Sequence, residues 1–242
     1  MKEILRPEYP RPQMVREAFV NLNGLWEFEI DNGSSGKDRK YYTRENLNQY
    51  INVPFCPESR LSGVEYTDFM DCVWYRREID IPSEWNGKRI LLHFGAVDYA
   101  ATVYVNGQEV GTHRGGYTPF AFDITDFLCD EKNVVMLCAE DHVRAHVQPS
   151  GKQCDKYASW GCSYTRTTGI WQTVWMEAVE RAHICNVKFT PDIASGTILC
   201  AFPVTDEAVG AELSVETFFE GKPTGKASVT VTNNLPFVSI PL

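Results

Sequence analysis

Apolar side chains recur in this chain every second residue, and almost nowhere at the spacing of a helix. That period belongs to β-strands with one buried face. Residues 25–30 (LWEFEI) set Trp26, Phe28 and Ile30 against Leu25, Glu27 and Glu29. Residues 73–81 (VWYRREIDI) put Val73, Tyr75, Ile79 and Ile81 on one side, interrupted only by Arg77. Because Arg76 and Arg77 alternate, one of them points inward and needs a buried partner. Residues 89–94 (RILLHF) read as a buried strand, and 133–139 (NVVMLCA) are apolar on both faces, so both faces should be covered. Residues 170–179 (IWQTVWMEAV) read as one strand with Trp171 and Trp175 in the core. In 100–112 (AATVYVNGQEVGT) two strand runs flank Asn106-Gly107, which suits a type I′ turn because both central residues need positive φ. Only 43–51 and 124–129 leave room for a short helical turn. Many short strands, with 17 glycines and 13 prolines between them, imply an all-β chain built as a jelly-roll β-sandwich or a related sandwich.

A boundary is expected near residues 180–183. Beyond it a second strand series begins, at 183–190, 197–204, 211–219 and 226–232. This block holds about 60 residues, whereas an immunoglobulin-like sandwich takes ~100. The last residues, LPFVSIPL, read as the approach to a further strand. The expected organisation is a jelly roll over 1–181 and a truncated immunoglobulin-like sandwich over 182–242.

The formal net charge is -9, with no basic stripe, which argues against nucleic acid as a partner. No apolar run approaches the ~20 residues of a membrane helix, so no membrane partner is expected. The N-terminus, MKEILRPEYPRP, lacks the apolar core of a signal peptide. That places the expected location in the cytoplasm, with the eight cysteines reduced.

Motifs for chemistry are scarce. There is no Gly-x-Ser-x-Gly elbow, phosphate loop or Cys-x-x-Cys pair. His142 and His146 are four apart, a metal-binding spacing only on a helix, and Pro149 argues for a solvated loop instead. No cofactor and no metal are expected. Two segments stand out. Residues 142–169 (HVRAHVQPSGKQCDKYASWGCSYTRTTG) are long for a connector inside a sandwich, and rich in aromatics. Tyr157, Trp160 and Tyr164 offer flat faces to a sugar ring, while Lys152, Asp155, Lys156 and Arg166 offer hydrogen-bonding groups. Packing against a neighbouring domain is the alternative, and both stay open. Residues 52–66 (NVPFCPESRLSGVEY) carry Glu58 and Arg60 on a segment stiffened by Pro54 and Pro57. They read either as a ligand edge or as a crossover with a surface glutamate.

Five segments in order resemble the sugar-binding domain of family 2 glycoside hydrolases, the β-galactosidase, β-glucuronidase and β-mannosidase group. They are LNGLWEF (22–28), VPFCPES (53–59), WYRREIDIP (74–82), LHFGAVDYAATVYVNGQEVGTHRGGYTPF (92–120) and YTRTTGIWQTVWMEAV (164–179). The resemblance implies a galactose-binding-domain-like jelly roll, then an immunoglobulin-like sandwich, then a (β/α)8 barrel carrying both catalytic glutamates. A barrel takes ~250 residues, and no such block is present, so no catalytic residue is assigned and this chain is expected to be inactive alone. In some members an acidic residue on the long loop touches the sugar. Ser163 stands at that position in this chain, a departure that leaves Asp155 and Glu58 as the neighbouring acids. The expected substrate-contacting set is Glu58, Asp155, Trp160, Ser163, Tyr164 and Arg166. Expected partners are a β-glycoside carbohydrate, the catalytic barrel and a second copy of the chain. The rival reading is a stand-alone, lectin-like carbohydrate-binding module.

Overall fold

The computed structural model describes residues 5–145 and 147–241; His146 lies outside them. Two compact units are distinguished, one built on Arg16–Ala178 and one on Val179–Leu242, with Arg11–Val15 grouped with the second.

The strands of the first unit are β1 (Phe19–Asn21), β2 (Gly24–Ile30), β3 (Gln49–Val53), β4 (Cys72–Ile79), β5 (Arg89–Phe94), β6 (Val97–Asp98), β7 (Ala100–Val105), β8 (Gln108–Arg114), β9 (Phe120–Asp123), β10 (Asn133–Glu140), β11 (Gly169–Ile170) and β12 (Val174–Val179). They form a four-stranded sheet, β1-β12-β5-β9, and a six-stranded sheet, β3-β2-β4-β10-β7-β8, with β6 and β11 as a separate short ladder. Pairing through the six-stranded sheet is antiparallel throughout. Trp26, Phe28, Tyr75 and Leu137 of that sheet pack with Leu92, Phe94 and Met176 of the other in one buried core. The arrangement is a β-sandwich, and the alternation along β2 and β4 is its cause.

The outer face of the six-stranded sheet is covered too. Met136 and Cys138 of β10 join Trp74, Tyr104, Tyr41 and Leu47 in a second cluster, which explains why 133–139 is apolar on both sides. The two β4 arginines divide as alternation requires. Arg77 takes the core side and donates to the carbonyls of Leu22 (2.8 Å) and Asn23 (3.2 Å). Arg76, on the other face, is buried between Glu27 and Glu78. Asn106 and Gly107 have φ of 50° and 77°, and β7 and β8 pair across them.

One strand reading needs correction. Residues 170–179 are not continuous: β11 ends at Ile170 and β12 begins at Val174. Trp171 turns away and donates its indole N–H to the Gly116 carbonyl (2.7 Å), while the Thr173 carbonyl accepts from Gly95 N (2.9 Å). Side-chain spacing cannot register such backbone diversions.

The second unit contains β13 (Lys188–Asp192), β14 (Thr197–Ala201), β15 (Glu212–Phe219), β16 (Lys222–Thr230) and β17 (Phe237–Pro241). They make a sheet β13-β14-β17 and a hairpin β15-β16. Cys200, Phe202, Leu213, Val231, Val238 and Ile240 lie in its own core. The first strand starts later than the alternation suggests: residues 183–187 make an isolated bridge, Ile184 to Val204, and a bond from Cys185 N to the Pro203 carbonyl (2.7 Å) before β13 begins at Lys188.

Candidate functional site

The segment between β10 and β11 is an ordered excursion. Cys154 N donates to the Tyr164 carbonyl (2.8 Å), and Tyr164 N donates to the Lys152 carbonyl (2.9 Å). Between these rungs the chain reverses at Trp160–Ser163, where Ser163 N reaches the Trp160 carbonyl (3.0 Å). Arg166 closes the excursion from inside. It is buried, and its guanidinium donates to the carbonyls of Cys154 (3.0 Å), Lys156 (2.7 Å), Tyr157 (3.5 Å) and Thr67. A planar, forked donor suits several carbonyls at once. Arg166 and Arg144 each stand 4.0 Å from the centroid of the Phe69 ring.

Three carboxylates fasten the base of the excursion to the sandwich. Glu58, on the turn after β3, accepts from Thr168 N at 3.2 and 3.3 Å. Asp98, ending β6, accepts from the Gln153 amide (2.7 Å), whose oxygen accepts from Thr167 N (2.8 Å). Asp141, following β10, accepts from the Gln148 amide (2.6 Å) and the Thr168 hydroxyl (3.2 Å). Only 8 % of Glu58, 2 % of Asp98 and 3 % of Asp141 is exposed. Burial lifts all three out of the usual carboxylate range: Glu58 to about 7, Asp98 to about 7 with the charges of Asp141 and Glu58 adding to it, and Asp141 to about 6. The Cys56 thiol beside Glu58 is pushed up to about 12, again chiefly by burial.

The outward side of the excursion is aromatic. Tyr157 and Trp160 are 65 % and 61 % exposed, and Tyr164 and Tyr117 are exposed as well, their two hydroxyls 3.4 Å apart. The Lys156 ammonium lies 4.1 Å from the Trp160 ring centroid, an attraction between cation and π-face.

The six residues expected at a sugar thus separate into two layers. Asp155, Trp160 and Tyr164 are exposed, with Ser163 half-buried at the reversal. Glu58 and Arg166 lie beneath them. Arg166, expected to hydrogen-bond sugar hydroxyls, is instead an internal clamp, because its Nη groups donate to the carbonyls of Cys154, Lys156, Tyr157 and Thr67. Glu58 is likewise neither an open edge nor a surface glutamate. Asp98, Asp141, Gln153 and Thr168 were not distinguishable as site residues in the sequence. The only trace was a carboxylate against apolar neighbours in AVDY and at the end of NVVMLCAED. Chemically, the outward layer presents flat faces with an ammonium and a carboxylate nearby. The buried carboxylates are occupied in fastening the chain.

A family model described as "Glycosyl hydrolases family 2, sugar binding domain" matches residues 46–176, more than half of the chain. A β-galactosidase of Thermoanaerobacter pseudethanolicus is 31 % identical over 149 residues, which are 61 % of this chain and 19 % of that protein. A β-galactosidase of Clostridium acetobutylicum is 25 % identical over 245 residues, 90 % of this chain and 25 % of that protein. A β-glucuronidase of Ruminococcus gnavus, solved with D-glucaro 1,5-lactone, shares the fold with a TM-score of 0.71 at 19 % identity, over 96 % of this chain and 41 % of that one. The chain therefore spans a quarter or less of these two curated relatives.

Proposed function

The chain belongs to glycosyl hydrolase family 2 through its sugar binding domain, and from that premise we propose that it is the N-terminal, non-catalytic region of a glycosidase acting on terminal β-glycosides. The first sandwich is read as the family's jelly roll and the second unit as part of an immunoglobulin-like sandwich. In this reading the whole protein is β-galactosidase-like and serves carbohydrate metabolism. Its catalytic pair stands on a separate barrel domain, and the first sandwich supports that barrel and walls one side of its active site. One observation carries the proposal: 90 % of this chain aligns with only 25 % of the C. acetobutylicum β-galactosidase, while the matched family model describes a sugar-binding rather than a catalytic domain. The proposed sugar-facing residues are Asp155, Trp160, Ser163 and Tyr164.

A second reading, a carbohydrate-binding module that acts without hydrolysis, is favoured by the exposed rings of Tyr157 and Trp160. Such faces stack on the C–H side of a sugar ring and are costly to leave in water. Calorimetric titration of the 242-residue chain with galactose, glucuronic acid and mannose, alongside chromogenic β-glycosides, separates the readings. No turnover and no binding supports the scaffold. Millimolar binding without turnover supports the module. Turnover that survives repurification overturns both.

A further inference from the structure

The three carboxylates under the excursion come from three separate elements, yet each holds the same segment, and each holds it through a neutral donor. Glu58 and Asp141 both bind Thr168, one through its N–H and the other through its hydroxyl. Asp98 and Asp141 take the amides of Gln153 and Gln148. One Asp98 oxygen, Oδ1, is buried without a hydrogen-bond partner, and the Gly116 backbone packs so closely on this carboxylate that a Cβ there would meet Oδ1 at 2.5 Å. The two Nη groups of Arg166 donate to carbonyls, and its buried Nε has no hydrogen-bond partner. Three carboxylates enclosed with neutral donors repel one another when all are ionised.

We propose that Glu58, Asp98 and Asp141 form one proton-binding cluster, so that docking of residues 148–168 onto the sandwich takes up protons and the excursion is held more tightly in acid than in alkali.

The surroundings agree. Glu58 faces Cys56 and Tyr75; Asp98 faces Asp141, Glu58 and Tyr117; Asp141 faces His142 and Asp71. His142 is the basic residue among these, and it stands beside Asp141 and Asp71. The sign follows from linkage. Burial under the excursion raises each carboxyl by more than the hydrogen bonds from Thr168, Gln153 and Gln148 lower it, so the docked state binds more protons than a released, hydrated one. Its advantage is complete at pH values below the released carboxyls, near 4, and is lost as pH rises through about 6 to 7. Above about pH 8 no further change is expected. Because the excursion carries the proposed sugar-facing side chains, its order would follow ambient acidity.

The test is hydrogen exchange on the intact 242-residue chain at about pH 5.5 and 8.0, each rate divided by the intrinsic rate at that pH. The amides of Cys154, Tyr164, Thr167 and Thr168 report the excursion, and those of β4 and β10 are the reference. The expected result is a loss of protection at the higher pH of about tenfold or more at the excursion, with the reference strands unchanged. Asp98→Asn with Asp141→Asn should flatten that difference. Equal protection at both pH values, an unchanged pH difference in the double variant, or a loss shared equally by β4 and β10 overturns the proposal. None of these readings depends on whether the chain binds a sugar.

Discussion

Single residues in this protein act mostly by allowing the backbone to come close. Gly169 has φ of +74°, and a Cβ there would lie 2.3 Å from the Tyr75 hydroxyl, which itself accepts from Ile170 N (3.2 Å). Gly169→Ala is expected to cost roughly 2–4 kcal/mol, combining left-handed strain with overpacking. Tryptophan fluorescence in urea measures this cleanly, because all six tryptophans lie between residues 26 and 175 and so report the first unit. A loss below about 1 kcal/mol would mean that the approach is not tight. Arg166→Met should leave this transition nearly in place. Instead it should speed tryptic cleavage at Lys152 and Lys156 by about tenfold or more, since carbonyls that lose a buried donor cost ~1–3 kcal/mol each. Cleavage at the wild-type rate would show that the clamp is dispensable.

Among the elements, the β7–β8 hairpin and the long excursion represent two ways of specifying structure. The hairpin's turn is set by the adjacent pair Asn106-Gly107, and the Asn106 side chain then ties it to residues further along the chain. Asn106 sits at φ of 50°; its amide donates to the Phe127 carbonyl (2.9 Å) and to Asn133 (2.8 Å), and its oxygen accepts from Val134 N (2.9 Å). Asn106→Ala removes these three bonds and a fourth, to Cys129 Sγ (3.7 Å), and leaves an L side chain in a left-handed conformation. A destabilisation of about 2–3 kcal/mol in the same fluorescence assay is expected, and no change would refute the role assigned to the turn. The excursion has no such local code. Its rungs, Gln153 to Tyr164 and Trp160 to Ser163, form because Arg166 and three distant carboxylates enclose it. Asn-Gly was therefore legible as a turn, whereas 142–169 was legible only as long and aromatic.

At the scale of the molecule, the two units should differ in stability. The first core gathers buried side chains from both of its sheets, among them Trp26, Phe28, Tyr75, Leu92 and Phe94. The second rests on a much smaller set around Cys200, Phe202, Val238 and Ile240, and the large rings of Phe189, Phe218 and Phe219 remain exposed on its strands. Buried apolar area sets stability, so amides of β14 and β17 should lose exchange protection at lower urea than those of β4 and β10. Simultaneous loss would show that the units unfold as one. The alternation also accounts for how the sandwich was legible from sequence: Trp26, Phe28, Val73 and Tyr75 lie inside as their spacing requires.

Sequence alone determined the all-β class, the sandwich, the Asn106-Gly107 turn and the family, because each of these depends on residues close together in the chain or on ordered motifs. The tertiary structure decided the rest. It gathered Glu58, Asp98 and Asp141 from positions up to 83 residues apart beneath one segment, drew Arg166 inward, and diverted Trp171 from its strand toward Gly116. The reason is physical: side-chain period states which face of a strand is buried, whereas the partner of a buried charge is set by what the fold brings within about 3 Å of it.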